Sequence, residues 1–180
     1  LAGLESLDLV LLSDNRIEDA SPLWNLGGLR VLDLAENILS TITGVETLVG
    51  LETLDLDENR ISDLQPLANL ALKQLELSDN PIADFSPLWG ITSLESLRLA
   101  RTGFSDLAKV VPLEKLRWLN LVGNGISDVA PLSNMIQLVG LSLAGNRITD
   151  LTPLEGLLQI RYLTLSDSPI SDFTPLAGLT

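Results

Sequence analysis

The sequence predicts an α/β solenoid of about eight coils, with a parallel β-sheet on one face and short helical or 3₁₀ segments on the other. Three observations predict it. The frame Leu-x-x-Leu-x-Leu-x-x-Asn returns every 22 residues along nearly all of the 180-residue chain. Within each copy the apolar spacing changes, from the two-residue period of a strand with one buried face to irregular anchors beyond it. Most copies also place an aspartate three residues ahead of a proline, which marks a turn into a short helical segment.

The coils begin at Leu7, Leu29, Leu51, Leu72, Leu94, Leu116, Leu138 and Ile160, so residues 1–180 read as one domain. The third copy is a residue short, because only Ala71 separates Leu70 from Leu72. Each strand should centre on the second and third apolar letters of its frame, as at Leu97 and Leu99. A tight turn at the Asn then leads into the return segment, anchored in the third copy by Ile61, Leu64, Leu67 and Leu70. Asp63, Asp84, Asp106, Asp128, Asp150 and Asp172 share one frame position, where a carboxylate can accept backbone N–H groups. Pro22, Pro66, Pro87, Pro131, Pro153 and Pro175 follow where an early helical turn needs no donor.

Each copy offers about seven apolar side chains that can be buried only against its neighbours, so a single copy would not fold. Eight strands at ~4.8 Å spacing span roughly 38 Å. The frame Asn is expected to bond backbone groups of its own and the adjacent coil, forming a ladder along the stack. Thr102 and Ser168 interrupt it, since a hydroxyl lacks the amide's set of donors and acceptors. The fifth coil is therefore expected to be locally looser; the alternative is that the position simply tolerates the change.

Composition removes several classes of function. The chain has no His and no Cys, which excludes Ser-His and Cys-His nucleophile chemistry and the usual zinc ligand sets. Its glycines follow the repeat frame and form no phosphate loop. Asp33 and Asp55 are near enough for paired-carboxylate hydrolysis, but an open acidic row offers no reason for the two to differ in protonation. The expectation is a non-enzymatic chain without a cofactor. A net charge of −13 opposes nucleic-acid binding, and no hydrophobic run is long enough to span a membrane. The opening Leu-Ala-Gly-Leu (1–4) repeats at 176–179, so the chain is expected to be a section of a longer solenoid whose uncapped ends are available for self-association. Exposed Leu9 and Leu11 on the first coil fit the same expectation.

Residues 59–70, Asn-Arg-Ile-Ser-Asp-Leu-Gln-Pro-Leu-Ala-Asn-Leu, resemble the 22-residue leucine-rich repeat of bacterial internalins and related surface proteins. The likeness covers essentially the whole chain, and the Ile-x-Asp-φ-x-Pro-Leu portion favours the bacterial type over cytosolic repeats of the same length. The resemblance implies a right-handed arc with strands lining its concave face. It also implies protein recognition there, in a bacterial surface or secreted protein, with a cytoplasmic location as the alternative.

In such an arc the residues flanking the buried Leu of each strand face the concavity. One column runs Leu11, Asp33, Asp55, Glu76, Arg98, Asn120, Ser142, Thr164; a second runs Leu9, Val31, Thr53, Gln74, Ser96, Trp118, Gly140, Tyr162. A third, after the last Leu of the frame, contains Asp57, and a fourth contains Glu36, Glu58, Asp79 and Arg101. Residues 1–93 hold 16 acidic and 4 basic side chains, a net of −12, against 8 and 7, a net of −1, for residues 94–180. This asymmetry suits a partner with a basic patch at coils two to four, a uniformly acidic surface being the alternative. Asp33, Asp55 and Asp57 lie close enough to raise the question of a divalent cation, but nothing matches a compact calcium loop, and no metal is assigned. At the fifth coil Arg98 and Arg101 reverse the sign. Beyond them Trp118 and Tyr162 are expected ~10 Å apart across Gly140, walling a neutral hollow for a protein side chain, with a sugar ring as the lesser choice. The expected partner-binding residues are thus Asp33, Asp55, Asp57, Glu76, Arg98, Arg101, Trp118, Asn120 and Tyr162. A stalk or self-assembling array without a specific ligand is the competing role. Trp24 and Trp89 fall on the return segments and should pack between coils.

Overall fold

The computed structural model describes residue 4 and residues 6–179, so three of the four residues of the opening tetrapeptide lie outside the described residues. Eight three-residue strands form one open sheet in chain order: β1 (Leu9–Leu11), β2 (Val31–Asp33), β3 (Thr53–Asp55), β4 (Gln74–Glu76), β5 (Ser96–Arg98), β6 (Trp118–Asn120), β7 (Gly140–Ser142) and β8 (Tyr162–Thr164). All seven pairings are parallel, and the register sets frame position on frame position, as in Leu32↔Leu54 and Asp33↔Asp55. The missing residue of the third copy does not disturb this: Thr53 still pairs with Gln74, because Ala71 lies in the return loop and not in the strand.

The middle residue of each strand points inward. Leu32, Leu54, Leu75, Leu97 and Leu141 are wholly buried and stack in one row, backed by Leu34, Leu56, Leu77, Leu99, Leu121 and Leu143. A strand of three residues has little intrinsic stability, so these rows, shared between neighbouring coils, hold the sheet together. The return segments are 3₁₀ turns throughout, from Ser21–Leu23 to Thr174–Gly178, and six of the eight carry Pro in their first positions. Asp63, Asp84, Asp128, Asp150 and Asp172 each accept the N–H two residues on, at 2.8–2.9 Å, and so set up the turn. Asp106 does not cap its turn; the fifth coil has Lys109 where six of the others have proline, and its 3₁₀ turn is Leu107–Lys109.

Beyond each strand the ladder continues for two more bonds, as in Leu34 N to Asp55 O and Glu36 N to Asp57 O, both 2.9 Å. The chain then turns sharply at a residue with positive φ. Asp14, Glu36, Glu58, Asp79, Arg101 and Asp167 all lie at φ 53–57°, and Gly123 and Gly145 take the same frame position. The frame Asn follows, and the expected ladder is present. Asn59 donates to Leu34 O of the preceding coil (2.9 Å) and to Leu56 O and Asp57 O of its own, and accepts Leu39 N–H at 3.0 Å. Asn37, Asn80, Asn124 and Asn146 bridge coils in the same manner. The Thr102 hydroxyl reaches only Leu99 O of its own coil, and the Ser168 hydroxyl is buried without a partner among the described residues.

Trp24 is buried, as its place on a return segment suggested. Its indole fills the space above Gly44, the left-handed residue that starts the next coil's 3₁₀ turn. Trp89 is half-buried against Phe104 with ring centroids 5.2 Å apart.

Candidate functional site

The sheet brings the two predicted columns side by side on the concave face, with Leu9, Leu11, Trp118 and Tyr162 exposed among the strand residues. Three regions differ in chemistry: an acidic row on β2 to β4, two arginines at the fifth coil, and an aromatic pair on β6 and β8.

In the acidic row Asp33 and Asp55 have a local task that composition does not reveal. Each carboxylate accepts the N–H two residues on, Asp33 from Ala35 and Asp55 from Asp57, both at 3.0 Å. Asn120 does the same for Val122 at 3.1 Å. The strand exit therefore favours Asx residues for its own turn, independently of any partner. Asp57 is not displayed on the face as a strand residue would be. It is 9% exposed, because its position precedes the turn and is covered by the flanking coils, and it accepts the Ser78 N–H at 2.6 Å.

The three acids that converge are Asp55, Asp57 and Glu76, each offering an oxygen within 4.8 Å of the others'. Glu76 takes the place that sequence alone gave to Asp33: register sets both beside Asp55, but Asp57 leans toward the fourth coil to accept the Ser78 N–H, and Arg98 holds Asp57 and Glu76 together there. Burial raises all three proton affinities: Asp57 is pushed up to about 6 and Glu76 to about 7, with the Asp55 charge adding to both, and Asp55 is raised by burial and then by Asp33. Arg98 opposes this. Its guanidinium lies 2.6 Å from Glu76 and 3.3 Å from Asp57, pinning three successive coils. Arg101 grips Asp79 through Nε and Nη2, at 2.7 and 2.5 Å. Both arginines thus fold back onto the acidic coils instead of standing free toward a partner.

The aromatic pair departs from expectation in a different way. Trp118 and Tyr162 do not wall an empty hollow. Their ring centroids are 5.3 Å apart at 38°, because the Trp118 indole leans over Gly140 and meets Tyr162 above it. The result is a continuous platform, with Trp118 44% and Tyr162 62% exposed. A shallow depression of about 240 Å³ remains beside it, lined by Arg98, Asn120, Ser142 and the two rings. It is neutral except for the Arg98 edge and offers apolar surface with a few amide and hydroxyl groups.

The comparisons agree with this architecture. A family model described as leucine-rich repeats in two copies matches residues 28–69, 114–156 and 136–178, together more than half of the chain. No curated protein matches the sequence. Among solved structures, an internalin C2 from Listeria monocytogenes is similar with a TM-score of 0.91 at 28% identity, over 98% of this chain and 79% of that one. An internalin from the same organism, internalin F, gives 0.83 at 29% over 99% and 60%. A leucine-rich repeat protein of Leptospira interrogans gives 0.84 at 27% over 98% and 47%. The likeness is to bacterial internalin-type repeats, and this chain spans less than two thirds of the latter two proteins.

Proposed function

We propose that this chain, which belongs to the leucine-rich repeat family, is a protein-recognition module that takes its partner on the concave face. Proteins built on this scaffold are in general interaction modules and not enzymes, and the present face carries features suited to that use. The observation that carries the reading is the Trp118–Tyr162 platform, two large rings left open on a sheet face whose other aromatic residues are elsewhere. Aromatic anchors of this kind dominate binding energy because they bring large area at small entropic cost.

In this reading the partner's apolar group rests on Trp118 and Tyr162, with Asn120 and Arg98 at the rim. The excess of carboxylates at Asp33, Asp55, Glu76, Glu36 and Glu58 orients a basic patch on the partner toward coils two to four. Asp57 contributes from beneath, through Arg98 and the field of the cluster. A bacterial surface or secreted location goes with the likeness to internalins. A carbohydrate is the lesser choice of ligand, because the charge asymmetry has no use for a neutral sugar.

Affinity capture on the immobilised arc tests this, run in parallel with Trp118→Ala. The proposal expects a protein retained by the parent and lost from the variant, with an association rate that falls as salt rises. Equal retention by both would remove the platform from the site, and a salt-independent association rate would remove the acidic patch.

A further inference from the structure

The fifth coil departs from the frame at several points, and they all fall on one junction. Thr102 stands where the frame has Asn, and its hydroxyl bonds only Leu99 O of its own coil, with no tie back to coil four. Ile82 N–H, whose counterparts Ile17, Leu39 and Ile61 bond the next coil's Asn, turns instead to Asn80 O. Asp106 leaves its turn uncapped. Among the described residues no hydrogen bond joins the return segments of coils four and five, nor those of coils seven and eight, whereas Ile38 to Ile17, Arg60 to Leu39, Ala83 to Ser62 and Arg147 to Ile126 join such segments elsewhere, and Asn124 ties coils five and six. In their place Phe104 inserts between Phe85 and Trp89, with centroids 5.1 and 5.2 Å away, and a cleft of about 330 Å³ opens beside Trp89 and Lys109. On the concave side of the same junction the arrangement is the reverse. Arg98 to Glu76 and Arg101 to Asp79 cross from coil five to coil four, and Arg98 to Asp57 reaches coil three.

We infer that the boundary between coils four and five is a joint in the solenoid, with an apolar convex side and an ionic latch of Arg98 and Arg101 on the concave side. Stability in a repeat stack is close to a sum of coil and nearest-neighbour terms; of the two interfaces lacking an Asn tie, at Thr102 and at Ser168, the one at Thr102 lies inside the stack and divides it into two cooperative blocks. The backbone ladder between β4 and β5 is intact in the closed joint, and opening transiently breaks its end bonds, those of Leu77 and Asp79 N–H. Surface ion pairs are screened by salt and buried amide ties are not, so ionic strength controls this junction more than its neighbours. The joint separates the acidic coils from the aromatic platform, and its opening changes the spacing between the two halves of the concave face. None of this depends on what the face binds.

Residue-resolved hydrogen exchange tests the joint. Leu77 and Asp79 N–H bond Arg98 O and Ala100 O across it, while Leu121 and Gly123 make the corresponding bonds between coils six and seven. On going from low ionic strength to about 1 M salt, exchange at Leu77 and Asp79 should rise about tenfold relative to Leu121 and Gly123. Arg98→Gln with Arg101→Gln should produce that acceleration at low salt and remove its salt dependence. Thr102→Asn, which supplies the missing tie, should slow exchange there to the rate of the other junctions. Equal rates at both junctions under all salt conditions, or a salt response unchanged in the arginine variant, would overturn the joint. If the arginine variant does not fold, the Thr102→Asn comparison decides alone, and no slowing would count against it.

Discussion

The Trp118 indole lies so close over Gly140 that a β-carbon on Gly140 would stand 2.2 Å from ring atom Cε3. The absence of a side chain on β7 thus lets a ring from β6 reach one on β8. Gly140→Ala should therefore separate the pair while removing no aromatic group. Loss of the near-ultraviolet dichroism of the stacked rings would report it, with a stability cost of about 1 kcal/mol, since the displaced ring can move into solvent. If the platform is the anchor, this variant and Trp118→Ala should each weaken partner binding by about 2 kcal/mol. Calorimetry showing full affinity with the stack gone would separate the rings' contact from recognition.

The convergent acids make a definite statement about pH. Glu76 and Asp57 titrate at about 7 and about 6 in the folded chain, above the ordinary values of 4.5 and 3.8. The folded state then binds more protons than the unfolded one between those limits, so its stability falls as pH rises from about 4.5 to 7. The groups share one cluster and titrate together, so the change is on the order of a few kcal/mol. Asp19, Asp84, Asp150, Asp172 and Glu52 are lowered by the bonds they accept, and act oppositely as pH drops below about 4. Thermal midpoints should accordingly peak at about pH 4–4.5, and Glu76→Gln should flatten the decline toward neutrality. A midpoint that climbs from pH 5 to 7 would contradict the raised proton affinities.

Asn59 completes four hydrogen bonds while buried between coils two and three. Asn59→Ala should cost about 2–4 kcal/mol, because backbone groups of two coils are left unpaired at once. Asn15 is exposed and bonds only Leu12 O and Ser13 O of its own coil, so Asn15→Ala should cost less than about 1 kcal/mol. Chemical denaturation of both variants reads the difference directly, and equal losses would mean that the cross-coil bonds contribute nothing beyond the local turn.

Gly44 combines φ of +104° with an indole where a side chain would go, a β-carbon lying 2.2 Å from Trp24 Cδ1. Gly44→Ala should destabilise by about 2–4 kcal/mol through strain and overpacking together. In a double-mutant cycle Trp24→Ala should recover the packing part and leave the backbone part. Strict additivity would place the two residues out of contact.

The 22-residue period was enough to place every strand, the inward Leu rows and the Asn ladder, since these depend on frame position alone. The face was less legible. Asp33 and Asp55 resemble displayed charges in sequence, yet the same letters are what a turn at the strand exit selects, and only the hydrogen bonds to Ala35 and Asp57 separate the two roles. Asp57 reads as a third displayed acid when alternation is carried two residues past the strand, into a segment that already turns.

The repeat architecture is legible in the letters of the chain alone: the coil count, the parallel register and the chemical asymmetry along the stack. Each follows from a pattern that is local and repeated eight times. The tertiary structure alone decided which side chains meet across coils: Arg98 with Glu76 and Asp57, Phe104 with Phe85 and Trp89, Trp118 with Tyr162. Those contacts depend on how long side chains bend in the few ångströms between adjacent strands. A periodic frame fixes the distance between two side-chain roots, and the space left by a neighbour such as Gly140 decides where their ends go.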